Sequence, residues 1–235
     1  MREINRSVSI VTLLAALIAV IGSAGFAEAA TTLLWPLKDG QSMEFLVWSP
    51  SQAQPLQAQL RVAGTRTVGG IEYFRVEIPD WSQGTHQTVF LRSTRKGVYR
   101  LEAEGECAIA KLGQPGTTFR CRTGADGWEV TTFLSQTILT VPAGTFTTAR
   151  LFRKHIEYDN GSMSPDWDVY IVPGLGLAKQ VEYNGNFRDS QPAPDIARVI
   201  ELARIATVSE GRVLRSRLNP LLCLMRSIKI FFPLL

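Results

Sequence analysis

The chain holds few groups that could do chemistry. It has two histidines, His86 and His155, and three cysteines, Cys107, Cys121 and Cys223. Two short stretches, Glu102 to Glu106 and Asp159 to Asp168, hold three carboxylates each. The histidines stand 69 positions apart, and neither has a second ligand at the His-x-Glu or His-x-x-x-His spacing that a metal requires. Asp159, Asp166 and Asp168 offer oxygens to calcium in principle, but they lack the twelve-residue ligand pattern and closing Glu of an EF-hand. Turn-forming Asp and Asn in a solvated hairpin loop explain them better. No serine sits in a Gly-x-Ser-x-Gly setting, and Ser135 and Ser162 have no base nearby in sequence. Glu102, Glu104 and Glu106 alternate as one wet face of a strand would. A glycosidase-like carboxylate pair assembled from distant strands stays open, because sequence spacing does not report it. The expectation is therefore a protein with no catalytic, cofactor-binding or metal-binding residue, and no enzyme.

These groups must be held by something, and the chain's address limits what. Arg2 and Arg6 precede a charge-free apolar stretch, Val8 to Phe26, and Ala27-Glu28-Ala29 forms a small-x-small cleavage box. That is a secretory signal helix over residues 1–29, cut after Ala29. An uncleaved anchor is the alternative, since the stretch is nearly long enough to span a bilayer. No cysteine lies near the cut, so lipidation there is excluded and the mature chain is expected in the periplasm or outside the cell. An oxidising compartment permits disulfides. Cys107 and Cys121 flank Gly113-Gln114-Pro115-Gly116, whose turn residues predict a hairpin between the two. Facing the same side, they would close a loop of about fifteen residues, worth ~3 kcal/mol. Cys223 is left over in the tail, free or paired between molecules.

The mature chain reads as short β-rich runs separated by turn signals. Phe45 to Trp48, Leu56 to Val62, Ile71 to Ile78, Val89 to Ser93 and Val98 to Ala103 come first. Cys107 to Lys111, Thr118 to Arg122, Trp128 to Leu134, Thr137 to Val141, Phe146 to Tyr158, Trp167 to Val172 and Leu177 to Tyr183 follow. Asn160-Gly161 tolerates the positive φ of a tight turn. Two proline-glycine phrases, Val141-Pro142-Ala143-Gly144-Thr145-Phe146 and Val172-Pro173-Gly174-Leu175-Gly176-Leu177, set fixed φ beside free φ where strands begin or end. Closely spaced strands without helices between them predict an all-β fold, an antiparallel β-sandwich or partly closed barrel, over residues 30–205. Asp195 to Ile205 fits a short helix capped by Asp195 or a last strand equally well.

Trp35-Pro36-Leu37-Lys38-Asp39-Gly40, the run from Arg61 to Tyr73 and the two proline-glycine phrases occur in an order that resembles the DUF3108-like proteins, also catalogued as the TapB family of exported bacterial β-proteins. The resemblance covers roughly Leu34 to Tyr183. It implies an exported antiparallel β-domain and transfers no activity, because its motifs are turns.

Residues 206–235 have no counterpart in that resemblance. From Arg198 onward seven basic residues stand against Glu201 and Glu210, so the sequence pI of about 9.1 comes from this region. Residues 30–197 are near neutral and lack the positive field that nucleic acid binding needs. Leu218 to Leu235 is apolar but interrupted by Pro220, Arg226, Lys229 and Pro233, too broken to span a bilayer. It reads as a poorly ordered tail or as a basic segment making weak membrane-surface contact. Trp35, Trp48, Trp81, Trp128 and Trp167 would line a concave binding face or pack the core. Together these features predict a non-catalytic exported module with a structural or binding role in the envelope, its partner an envelope component or an apolar ligand. The alternatives are a hydrolase with carboxylates assembled in space and a lipid or lipoprotein carrier.

Overall fold

The computed structural model describes residues 33–79, 86–124, 126–187 and 193–207, so the signal segment, Trp81, Cys223 and the tail beyond 207 lie outside the described residues. Twelve strands carry the alternating pattern: β1 (Gln41–Trp48), β2 (Leu56–Val68), β3 (Ile71–Pro79), β4 (His86–Ser93), β5 (Gly97–Glu102) and β6 (Gly105–Lys111) form the first half. β7 (Thr118–Thr123), β8 (Gly127–Val141), β9 (Gly144–Tyr158), β10 (Trp167–Val172), β11 (Gly176–Tyr183) and β12 (Ile196–Thr207) form the second. Their order in the sheet is β6-β5-β4-β3-β2-β1-β12-β11-β10-β9-β8-β7, every neighbouring pair antiparallel. Two meanders are thus joined through their outer strands by the β1–β12 ladder, and the ring lacks a ladder only between β6 and β7. Of the two architectures the sequence left open, this is the nearly closed barrel.

Residues directly opposed in a ladder share a face, which separates inside from outside. Met43 and Phe45 of β1 oppose Leu60 and Ala58 of β2, and Ile205 and Leu202 of β12. Met43, Phe45, Leu60, Leu202 and Phe152 of β9 are fully buried, so the axis is a packed core. Gln57, Gln59 and Arg61 point the other way and are exposed. Polar outside and apolar inside is the reverse of a lipid-facing barrel.

An up-and-down ring has two ends. The proximal end holds the start of β1, the end of β12 and the turns β2–β3, β4–β5, β6–β7, β8–β9 and β10–β11; the distal end holds the others. Apolar chain closes the proximal end. Leu34 and Trp35 donate backbone N–H groups to the Thr94 carbonyl (3.3 Å) and the Ser93 hydroxyl (3.0 Å), while Gly174 N–H donates to the Leu33 carbonyl (2.9 Å). The second proline-glycine phrase is the seat of this segment. Gly176 has φ +105°, and a Cβ there would come within 2.2 Å of the Trp35 ring. The first phrase is the tip of the long β8–β9 hairpin, bent by irregularities at Phe133/Ser135 and Thr137/Leu139. Ala143 N–H at that tip reaches the Leu202 carbonyl (3.0 Å), where the β1–β12 register steps at Glu44/Phe45.

Three sequence expectations change. Residues 107–121 do not make a hairpin: β6 pairs with β5 and β7 with β8, while the loop between them is drawn to both sides by Leu112 N–H on Lys96 (2.8 Å) and Gly116 N–H on Phe133 (2.7 Å). Trp128 to Leu134 and Thr137 to Val141 are one strand, because bulges absorb the break in alternation. Glu102 and Glu106 lie on different strands around the β5–β6 turn, so the three glutamates share no single face. The stretch from Asp195 to Ile205 resolves as the strand Ile196–Thr207 with Asp195 just before it, since β1 offers it a full edge.

Candidate functional site

The polar chemistry of the fold is concentrated toward the distal end, on both faces of the sheet. Inside the barrel, Arg100 opposes Cys107 across β5–β6, and Glu129 opposes Cys121 across β7–β8, which puts all four on the inner face on either side of the unpaired edge. Cys107 and Cys121 are joined as a disulfide, with Cα atoms 5.6 Å apart. The bond spans two sheet edges and closes no hairpin.

Beside it lies an ion network that crosses the same edge. Glu129 accepts from Lys154 Nζ of β9 at 2.6 Å and from Arg100 Nη1 of β5 at 3.2 Å, and Arg100 also pairs with Glu102. Burial raises the cost of charge on Glu129, but Lys154 and Arg100 more than offset it and hold the carboxyl below its ordinary range. Arg100 is shifted upward by Glu129 and Glu102 against its own burial. Glu129 is therefore a fixed anion rather than a proton carrier near neutral pH.

The outer face of β8, β9 and β10 carries the second cluster. His155, buried, has Nδ1 at 3.3 Å from Asp166 and Nε2 at 3.3 Å from Glu157. Arg153 makes a two-pronged pair with Asp168 (2.8 and 3.0 Å), Tyr183 donates to the same carboxylate (2.9 Å), and Phe187 N–H donates to Asp166 (2.6 Å). Burial, with Asp168 beside it, pushes the Tyr183 phenol well up. A cavity of about 230 Å3 is lined by Thr132, Leu134, Arg153, His155, Asp166 and Phe187. Alongside it, Trp128 lies under the guanidinium groups of Arg120 and Arg122, 5.6 and 5.1 Å from its ring, beside a cavity of about 370 Å3. Arg122 holds Asp159 in a two-pronged pair (2.9 and 2.7 Å) and keeps that carboxyl below its usual range.

Asp159, Asp166 and Asp168 therefore divide among three different partners, Arg122, His155 and Arg153, and form no common ligand set. Among the described residues no group of three or more His, Cys, Asp or Glu is arranged to hold a metal ion. His86 opens β4, exposed and opposite Pro79, several strands around the ring from His155. Ser162 is tied to Asn160 Oδ1 through both its N–H and its hydroxyl, which stiffens the turn at Gly161. Of the tryptophans, Trp35 is core, while Trp48 and Trp128 are exposed. Sequence reasoning missed Glu129, Lys154 and Arg100. Charged residues at inward positions of alternating strands were the available signal, hidden because an alternating charge reads equally as a solvated face until the ring brings its partners together.

No family model matches the chain, and no curated protein gives a significant match. Two solved structures are similar. One is a Bacteroides fragilis protein described as exported, with a YmcC-like fold, at TM-score 0.50 and 11% identity over 75% of this chain and 100% of that one. The other is a protein described as a lipoprotein from Parabacteroides distasonis, at TM-score 0.49 and 11% identity over 75% and 99%. At such identity the first likeness is one of fold.

Proposed function

We propose that this is an exported, non-catalytic β-barrel module of the DUF3108-like kind, with a structural or binding role in the bacterial envelope. The observation that carries the reading is the mutual pairing of its chemistry-bearing groups. Each ring nitrogen of His155 faces a carboxylate, Glu129 stands between two cations, and Asp168 is shared by Arg153 and Tyr183. A general base needs a free lone pair aimed at substrate, and a nucleophile needs a base; these pairs spend that capacity on one another. The signal segment and the fold shared with a protein described as exported support the address. A barrel axis filled by Phe45, Phe152 and Met43 favours contacts on the outside over an internal lipid.

A hydrolase is the second reading, favoured by the convergence of His155, Asp166 and Glu157 beside a cavity. The test sets chromogenic ester, glycoside and peptide substrates against the purified protein, His155→Ala and Glu129→Gln. The module reading expects the same background rate for all three. Turnover that His155→Ala abolishes in a folded variant would establish the hydrolase instead, and fractionation that finds the protein only in the cytoplasm removes the exported role.

A further inference from the structure

On the outer face near the distal end, one indole stands with a charged group on each side of it. Trp128 of β8 opposes Arg122 of β7 and Glu157 of β9, and Tyr158 finishes β9 beside them. Trp128 is 36% exposed and Tyr158 38%. The barrel axis is already filled by other side chains, so these two rings are left partly in water. A cavity of about 370 Å3 lies against both of them and against Asp159, Ser162 and Met163 of the β9–β10 loop.

The charges around that cavity cancel. Arg120 pairs with Glu157, and Arg122 holds Asp159 at 2.9 and 2.7 Å, so two cations meet two anions. The same guanidinium groups stand 5.6 and 5.1 Å from the Trp128 ring and keep the indole in one orientation. The loop is held as well: Tyr158 N–H donates to the Ser162 carbonyl at 2.9 Å, and Glu157 pairs with Met163 as an antiparallel bridge. A surface fixed in advance loses little freedom when it binds. Its chemistry also narrows the occupant. A lipid tail or an apolar helix would take four charged groups out of water. A polyanion would find no net positive charge in these four groups. A sugar ring carries C–H groups on its face and hydroxyls around its edge. It can stack on an indole while each hydroxyl donates to a carboxylate or accepts from a guanidinium, with both ion pairs left intact.

We propose that Trp128, Tyr158 and the ion pairs Arg120–Glu157 and Arg122–Asp159 form a binding site for a neutral oligosaccharide. Trp128 is the stacking platform, and the paired groups are its hydrogen-bonding rim. The site gives a ligand class to the binding role proposed above and rests on that reading. Because it lies on the outer face, the packed axis is no obstacle to it.

The test titrates isotope-labelled protein, recovered from the cell envelope, with maltotriose and with triacetylchitotriose, and follows the indole N–H resonances. Saturable movement of the Trp128 resonance is expected with at least one sugar, while that of Trp48 stays still. The affinity should not change with salt, since no net charge drives it. Trp128→Ala should weaken binding at least about tenfold, the usual cost of truncating a tryptophan anchor. Trp128→Phe keeps a ring and should lose less, and Trp48→Ala should lose nothing; thermal unfolding verifies that each variant folds. A Trp128 resonance that moves with neither sugar, full affinity in Trp128→Ala, or salt-sensitive binding of heparin in place of the sugars would each overturn the proposal. Chromatography of the recovered sugar separates this site from the reading it rests on. Bound sugar returned intact supports both. Bound sugar returned cleaved supports the site and removes the non-catalytic reading, whereas protein that ignores both sugars removes the site and leaves the module reading intact.

Discussion

The ring closes in two ways, at β12–β1 and at β6–β7. The first closure is backbone: a ladder runs from Gln41 opposite Thr207 to Trp48 opposite Val199, through one register step. The second is side chain: a disulfide between Cys107 and Cys121, and a partly buried ion pair from Arg100 on β5 to Glu129 on β8. A backbone ladder is indifferent to most side chains and to pH. A side-chain clasp depends on particular atoms, their protonation and their oxidation state. One barrel thus has a mutation-tolerant closure and a chemically sensitive one.

Removing the buried anion should produce the largest effect. Glu129→Gln leaves Lys154 and Arg100 facing an amide, and a loss of about 3–5 kcal/mol is expected in urea unfolding at neutral pH. The same carboxyl sets a pH window. Its folded value is lowered, so its contribution is complete above its ordinary value of 4.5 and is lost as pH falls through the lower folded one. Acid titration of stability should be steep below that point in the parent and shallower in the variant; parallel curves would show that Glu129 is not the group responsible.

Next in size is the disulfide. Cys107→Ala with Cys121→Ala, a sequence separation of 14, should cost about 3 kcal/mol by loss of the loop constraint, and a reductant should lower the melting temperature of the parent only. A smaller loss of about 1–3 kcal/mol is expected from Gly176→Ala, which combines positive φ with collision against the Trp35 ring, and near-ultraviolet dichroism should report the displaced indole. At the backbone closure the expectation is the reverse. Arg204→Ala deletes an exposed ion pair to Glu44 and should leave the thermal midpoint unmoved. A midpoint that falls as far as in the double cysteine variant would erase the contrast between the two closures.

The sequence made the all-β class legible, because alternation and turn residues are local signals. The proline-glycine phrases were legible as turns for the same reason, since φ preference is a property of the residue itself. What each turn supports was not legible: nothing near Gly176 names Trp35, which comes from 141 positions earlier. The pair Cys107 and Cys121 was found through an expected oxidising compartment and an expected hairpin, and the structure joins the two cysteines without the hairpin. Turn residues between two strands indicate that they are close, and do not say whether a ladder joins them or only a bond. Glu129 escaped for a different reason. Its partners Arg100 and Lys154 stand 29 and 25 positions away, and only the ring brings them together.

The β1–β12 ladder also carries a cost in time. Glu44 and Arg204 are 160 positions apart, so all the intervening chain must be present before the ladder can zip. Until then β1 presents an unpaired edge to solvent, and an unpaired edge recruits whatever strand is nearest. Pairings this distant are slow to form, because the entropy of closing the loop is spent before any contact returns it. The strand that completes the ring is the last of the described strands to emerge, and the interval before it arrives is when the protein is most exposed to joining another copy of itself.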